Sequence, residues 1–402
     1  MNRKMDYDVI VVGAGPAGST AAQCAAEQNV SVLLLEKDRE IGVPVRCAEG
    51  ISGRSLRQFV DPTMNSSRAW IGQEIQGARL IAPDGHYVDI FDDHIGYVLE
   101  RRIFDRYLAQ LAAESGAHVR TNCEVDGLLF DERNFVSGVR IRRGKKSERI
   151  QAKVVIGCDG VESRIGYWAG LKTTLRPKDM ESCYQYTAAH PDINENLCQF
   201  YVGSNYAPGG YAWVFPKGKG IANIGLGISG GQSDLNKNAK QILDQFMSVH
   251  FPKAEILSAI CGGVPVALFM KRMVSDGIML AGDAAHQVNT MTGGGIASGM
   301  FGGREAGRIA AEAVIEDDVS CSRLSNYHDR WEKVQGKKLR RYDRLAQAVE
   351  KIDDETFNRT CTLLQKIDPK ELTLGTVFKT ALKHEPKLLV EVAKIFFHQT
   401  FS

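Results

Sequence analysis

The chain opens on Tyr7-Asp-Val-Ile-Val-Val12, a β-branched apolar run that predicts a strand buried on both faces. Residues Ala17 to Glu27 are alanine-rich and predict a helix, and Val30-Ser-Val-Leu-Leu-Leu35 predicts a second strand. Pro83-Asp-Gly85 marks the turn of a hairpin. Ile103, Phe104, Leu108, Leu111 and Ala112 then form the apolar stripe of a helix over 100–115. Runs at Cys123–Phe130, Phe135–Ile141 and Glu148–Ile156 predict a three-stranded meander. From Glu181 to Ile228 the alternation of Tyr211–Pro216 and Asn223–Ile228 predicts a second, antiparallel sheet. Gly277 to Asp283 is one more buried strand, and beyond Gly295 the pattern is helical to the end.

Three glycine-bearing stretches fall at the exits of the buried strands. Gly13-Ala-Gly15-Pro-Ala17-Gly18 stands between the first strand and the first helix, where Gly13 allows a tight turn, Gly15 a close backbone approach to a pyrophosphate, and Gly18 close helix–strand packing. The helix start then offers unpaired N–H groups to the phosphates. Glu36, at the end of the second strand, is the acid expected to bond the adenosine ribose, and an acid there argues against a 2′-phosphate. Gly157-Cys-Asp159-Gly160 ends another strand, with Ser163 expected to cap a short helix. Gly282-Asp283 places a carboxylate for ribityl hydroxyls, and Gly293-Gly-Gly295-Ile296 opens a helix whose N–H groups suit the flavin N1–C2=O edge. FAD is the dinucleotide that fits all three.

The fold class is therefore α/β: a Rossmann-type FAD-binding domain interleaved with an antiparallel-sheet substrate domain, plus a C-terminal helical region. The expected boundaries are 1–175 with 265–315 for the FAD-binding domain including the meander, 176–264 for the substrate domain, and 316–402 for the helices.

Composition narrows the function class. Lys+Arg 50 against Asp+Glu 48 gives a net charge of +2, which predicts no nucleic-acid partner. The nine cysteines are scattered, without CxxC or cluster spacing, which predicts reduced thiols, no metal, and electrons that come from outside. With no signal peptide and no membrane-spanning run, a cytoplasmic location is expected.

The three motifs, with Arg101 after the Cys47 loop, resemble the flavoprotein fold of the p-hydroxybenzoate hydroxylase type. More closely, Arg46-Cys47-Ala48-Glu49-Gly50 and Pro208-Gly-Gly-Tyr211-Ala-Trp213-Val-Phe215-Pro216 are similar to signatures of the geranylgeranyl reductase family, in particular its archaeal digeranylgeranylglycerophospholipid branch. The resemblance implies saturation of isoprenoid double bonds in ether lipids. It also implies flavin contacts at Ala17, Glu36, Cys47, Ala48, Gly50, Arg101, Val125, Asp283, Gly295 and Ile296.

Tyr211, Trp213 and Phe215 alternate along one strand and form an apolar wall suited to a prenyl chain, the alternative being an ordinary aromatic core strand. Cys47 is the candidate catalytic residue, its thiol acting either as a proton donor or as a small packing group. His286 is a second candidate acid, with a structural bond to backbone as the alternative. Leu374 falls where the resemblance places a lipid contact. The tail stripe Leu389, Val392, Ala393 and Phe396, with Lys383, Lys387 and Lys394, either lies on the inner face of a membrane or packs on the enzyme. The expected partners are a prenylated glycerophospholipid and an external electron donor of the ferredoxin kind. An aromatic hydroxylase on the same scaffold and a non-catalytic prenyl-lipid escort are the competing functions.

Overall fold

The structure, a computed structural model, describes residues 5–190, 192–231 and 237–367. Leu374 and the tail stripe lie outside the described residues. The described chain divides into two compact units. The first comprises the described parts of 1–45, 101–175 and 265–340, and the second those of 46–100, 176–264 and 341–402.

In the first unit the opening apolar run forms the strand Tyr7–Val12, with Val9, Ile10 and Val11 fully buried. It pairs in parallel with Val32–Leu35 on one side and with Lys146–Gly157 on the other. His118–Arg120 extends the parallel sheet beyond Val32–Leu35, and Ile278–Leu280 extends it beyond Lys146–Gly157. The expected meander is Glu124–Phe130, Val136–Arg143 and Lys146–Gly157, all antiparallel neighbours. Its last strand thus serves both the meander and the parallel layer. Helices Pro16–Ala26, Arg101–Glu114 and Ile296–Ile315 complete the nucleotide fold.

The second unit is built on an eight-stranded sheet. Its strands run in the order Glu255–Pro265, Met180–Ala189, Ile221–Ser229, Tyr211–Gly218, Leu197–Val202, Ile71–Ile81, Tyr87–Leu99, Gly50–Ser52. One face packs on the helix Ala239–His250 through Ala212, Val214, Ile224, Leu226, Leu243 and Phe246. This arrangement corrects two expectations. The sheet is mixed, because Leu197–Val202 pairs in parallel with Ile71–Ile81. Residues 46–100, expected in the first domain, supply three of its strands. Such pairing joins segments more than a hundred positions apart, which no local period encodes.

The described residues of the helical region divide between the two units. Its residues up to 340 cluster with the nucleotide fold, and Asp354–Leu364 joins the second unit. There Asp354 accepts hydrogen bonds from the Ser204 amide and hydroxyl, both at 2.8 Å. Among the described residues no helix is long and apolar enough to cross a membrane.

Candidate active site

The three glycines of the first motif are distinguished by what a side chain would meet. A Cβ at Gly13, whose φ is +100°, would lie 2.3 Å from the Cys158 carbonyl oxygen, and one at Gly18 would lie 1.8 Å from the Gly13 oxygen. These two positions are closed by packing. At Gly15 a Cβ would meet nothing within 4 Å, so this is where the backbone borders open space. No side chain caps the helix that starts there, which leaves its first-turn N–H groups available to an anion. Glu36 accepts from the Ala14 amide at 2.8 Å and from the Asp38 amide at 3.0 Å, so its carboxylate is held at the motif.

A second helix start is brought beside the first by another set of small residues. Gly303 and Gly307 sit against the carbonyl oxygens of Ala17 and Ala21, where a Cβ would approach to 2.0 and 2.2 Å. The matched order of these contacts makes Pro16–Ala26 and Ile296–Ile315 run side by side in the same direction. Both N-termini therefore open at one end of the unit, that of Ile296–Ile315 with Gly295 at its uncapped start. Asp283 belongs to the same end: a Cβ at Gly295 would lie 3.1 Å from its Oδ1. Burial pushes the Asp283 carboxyl up from the ordinary range, opposed by the Arg101 guanidinium. The Arg101 side chain is 16% exposed and pairs with Asp105 at 2.7 Å, so it is an inward group rather than a surface arginine.

Ser163 departs from expectation. It stands at the N-cap position of Arg164–Trp168 with φ +44°, but its hydroxyl makes no capping bond and instead donates to the Ala284 carbonyl at 2.8 Å. It ties the loop after Gly157 to the loop after Gly282, two strand exits that the sequence presents separately. Beside it Asp159 is pushed up by burial, and its Oδ1 has no hydrogen-bond partner among the described residues. Val125 is buried in its strand next to a bulge. His286 is buried, in the left-handed conformation, at the end of the Gly282–Ala285 turn. Open space at Gly15, two helix starts without side-chain caps and the buried carboxyls of Asp159 and Asp283 suit a pyrophosphate, a ribityl chain and a ring edge, so this unit fits FAD.

Cys47, Ala48 and Gly50 belong to the second unit, on the sheet face opposite the helix. Strand register sets out three rows across that face: Cys183, Gly227 and Tyr211; Gln185, Gly225 and Trp213; Thr187, Asn223 and Phe215. Glycine in the middle of two rows makes a trough. The Trp213 ring lies across it, so that a Cβ at Gly225 would come within 2.6 Å of the ring. Its Nε1–H donates to Gln185 Oε1 at 3.0 Å, and the Gln185 amide donates to the Cys47 carbonyl at 3.1 Å. Tyr211, Trp213 and Phe215 share this face, joined by Phe200, whose ring centroid is 5.3 Å from that of Phe215.

A buried ion pair fixes the same loop at its other end. Glu49 has φ +74°, and its carboxylate meets Lys217 Nζ, with side-chain exposures of 4% and 8%. Asn223 Nδ2 donates to Glu49 at 2.6 Å, while Lys217 also reaches Glu100 at 2.9 Å and the Leu99 carbonyl at 3.2 Å. Gly50 passes under Phe215, where a Cβ would lie 2.7 Å from the ring. Sequence reasoning missed Gln185, Asn223, Lys217 and Glu181. The signal present was period-2 polarity at 181, 183, 185 and 187, but only the pairing register shows what it faces.

With this geometry in place, the comparisons become specific. Residues 8–204 match the FAD dependent oxidoreductase family, and 179–264 match the geranylgeranyl reductase catalytic domain, the segment that supplies the trough. The digeranylgeranylglycerophospholipid reductase of Methanocella arvoryzae is 42% identical over 97% of this chain and 99% of its own. The chain belongs to the digeranylgeranylglycerophospholipid reductase family. A solved geranylgeranyl bacteriochlorophyll reductase-like protein from Thermoplasma acidophilum superposes with a TM-score of 0.89 at 34% identity, covering 96% of this chain and 98% of that one. A flavin-dependent brominase, at TM-score 0.72 and 16% identity over 98% of this chain and 100% of its own, shares the fold alone. Membership makes this an FAD-dependent oxidoreductase.

Proposed function

We propose that the protein saturates the isoprenoid double bonds of digeranylgeranylglycerophospholipids, giving phytanyl lipids of the archaeol type. The observation that carries this reading is the trough floored by Gly225 and Gly227 and walled by Tyr211, Trp213, Phe215 and Phe200, lying within the region matched by the reductase catalytic domain. FAD, when bound and reduced, supplies a hydride from N5. An isolated alkene has no carbonyl to polarise, so the chain must align it, keep water away and provide a proton.

The residues divide these tasks. Gly15 and Ala17 border the pyrophosphate, with Gly13 and Gly18 packing the turn and helix that present them, and Glu36 holds the ribose. Arg101 reaches the phosphates, Asp283 the ribityl hydroxyls, and Gly295 and Ile296 the ring edge, while Val125 meets the adenine through backbone atoms. Cys47, Ala48 and Gly50 border the ring, with the Cys47 carbonyl fixed by Gln185. Tyr211, Trp213 and Phe215 align the prenyl chain. The electrons come from an external carrier of the ferredoxin kind, in keeping with a chain that has no second nucleotide motif. The lipid is taken up by peripheral contact at the inner membrane face.

The hydroxylase and escort readings draw no support from the reductase relatives, which match almost end to end. Anaerobic incubation of the dithionite-reduced holoenzyme with digeranylgeranylglycerol phosphate should raise the product mass in steps of two hydrogens. A lipid recovered unchanged overturns the proposal.

A further inference from the structure

One carboxyl on the reductase trough has no structural task. Glu181 stands two positions before Cys183 and four before Gln185 on the strand Met180–Ala189, so it shares their face with Tyr211 and Trp213. Its side chain folds back over the glycine column. A Cβ at Gly227 would lie 2.6 Å from Glu181 Oε2 and 3.1 Å from Cys183 Sγ. Gly227 is therefore the residue whose missing side chain makes room for this carboxyl. No cation and no hydrogen-bond donor among the described residues reaches it.

The surroundings explain why it would carry a proton. Glu181 is half-buried, retaining some accessible surface while packed about by protein atoms. Burial alone pushes its carboxyl up to about 7. The neighbouring Cys183 thiol and Tyr211 hydroxyl are pushed up as well, the Glu181 charge adding to burial in both cases. Of the groups around Gly227, the carboxyl is thus the one that gives up a proton most readily near neutral pH. An acid matched to the working pH is what general acid catalysis favours.

Resting on the reductase reading, we propose that Glu181 is the catalytic acid that protonates the alkene. One alkene carbon takes a hydride from the reduced flavin. The other forms a C–H bond with the proton released as the Glu181 O–H bond breaks. The alkene gains two hydrogens, the flavin is left oxidised, and the Glu181 carboxylate recovers its proton from water. Cys183 and Tyr211 keep the carboxyl dry and neutral until the substrate is in place.

The test uses wild type, Glu181→Gln, Glu181→Asp and Cys47→Ser. Infrared spectra of the flavin-free proteins read the proton directly: wild type should show a protonated carboxylic acid band that titrates away around pH 7 and is missing from Glu181→Gln. In anaerobic single turnovers, reduced Glu181→Gln should bind FAD normally but be reoxidised by lipid roughly 100-fold or more slowly than wild type. Glu181→Asp should retain part of the rate. The wild-type rate should fall as pH rises through the value at which the infrared band disappears. A band unchanged in Glu181→Gln, or a rate unchanged in that variant while Cys47→Ser loses it, overturns the assignment to Glu181. Wild type that binds FAD but leaves the lipid unchanged overturns the reductase reading itself, and that outcome is distinct because the infrared band still reports the Glu181 proton.

Discussion

Alanine at Gly15 and alanine at Gly18 should have opposite consequences, although the two glycines belong to one motif. At Gly15 a methyl group meets nothing within 4 Å, and φ −72° with ψ −176° is extended backbone that alanine adopts freely. Removing a glycine restricts the unfolded chain and stabilises by about 0.4–1 kcal/mol. Alanine is a poorer N-cap than glycine by a similar amount. The two terms cancel, so the flavin-free Gly15→Ala protein should unfold within about 0.5 kcal/mol of wild type. The same methyl occupies the space that a pyrophosphate must enter. Displacing the phosphates from even one N–H costs about 1.5–3 kcal/mol for a charge-assisted bond, or roughly 10- to 150-fold in FAD affinity.

At Gly18 the new Cβ would stand 1.8 Å from the Gly13 oxygen, so backbone must move, at about 1–3 kcal/mol of overpacking. Urea unfolding of the flavin-free proteins measures the first quantity, and titration of flavin fluorescence the second. The reasoning fails if Gly15→Ala destabilises the flavin-free protein as much as Gly18→Ala does, or if it binds FAD within twofold of wild type.

Three further outcomes are expected. Lys217→Met leaves the Glu49 carboxylate buried without its lysine partner and should lower stability by about 3–5 kcal/mol. Glu49→Gln keeps the Asn223 bond and leaves Lys217 paired with Glu100 at 2.9 Å, so denaturation should show a smaller loss. For Asp283 the folded-state carboxyl is raised, so its favourable contribution is complete below the unfolded carboxylate range and is lost as pH rises through the raised value. Flavin-free Asp283→Asn should then be more stable than wild type at neutral pH in thermal melts, with the difference closing on acidification, while FAD binding weakens roughly tenfold. Trp213→Phe removes the bond to Gln185 and should cost about 0.5–1.5 kcal/mol in urea unfolding. Gly225→Ala should cost more, because its methyl would lie 2.6 Å from the Trp213 ring and 2.8 Å from the Tyr184 carbonyl oxygen.

Much of the nucleotide-binding unit is legible in order along the chain. A buried β-branched strand, a glycine turn and an alanine-rich helix are local patterns, and Tyr7–Val12 and Pro16–Ala26 form where those patterns lie. Glu36 is readable because strand length fixes its distance from Gly13. The alternation of Tyr211, Trp213 and Phe215 likewise shows a shared face before any fold is known. What the alternation omits is whose side chains stand opposite. Gly225 and Gly227 read as weak strand residues until register places them between Met180–Ala189 and Tyr211–Gly218.

The sequence by itself therefore determined the element types, the motif order and the cofactor they suit, because each depends on periodicity and turn chemistry within a few residues. Tertiary structure alone decided that 46–100 joins the second sheet, that Lys217 neutralises Glu49 across 168 positions, and that the Glu181 carboxyl lies over the missing side chain of Gly227. Strand partners and the burial of a charge are properties of long-range packing. A residue's neighbours in sequence carry no record of them.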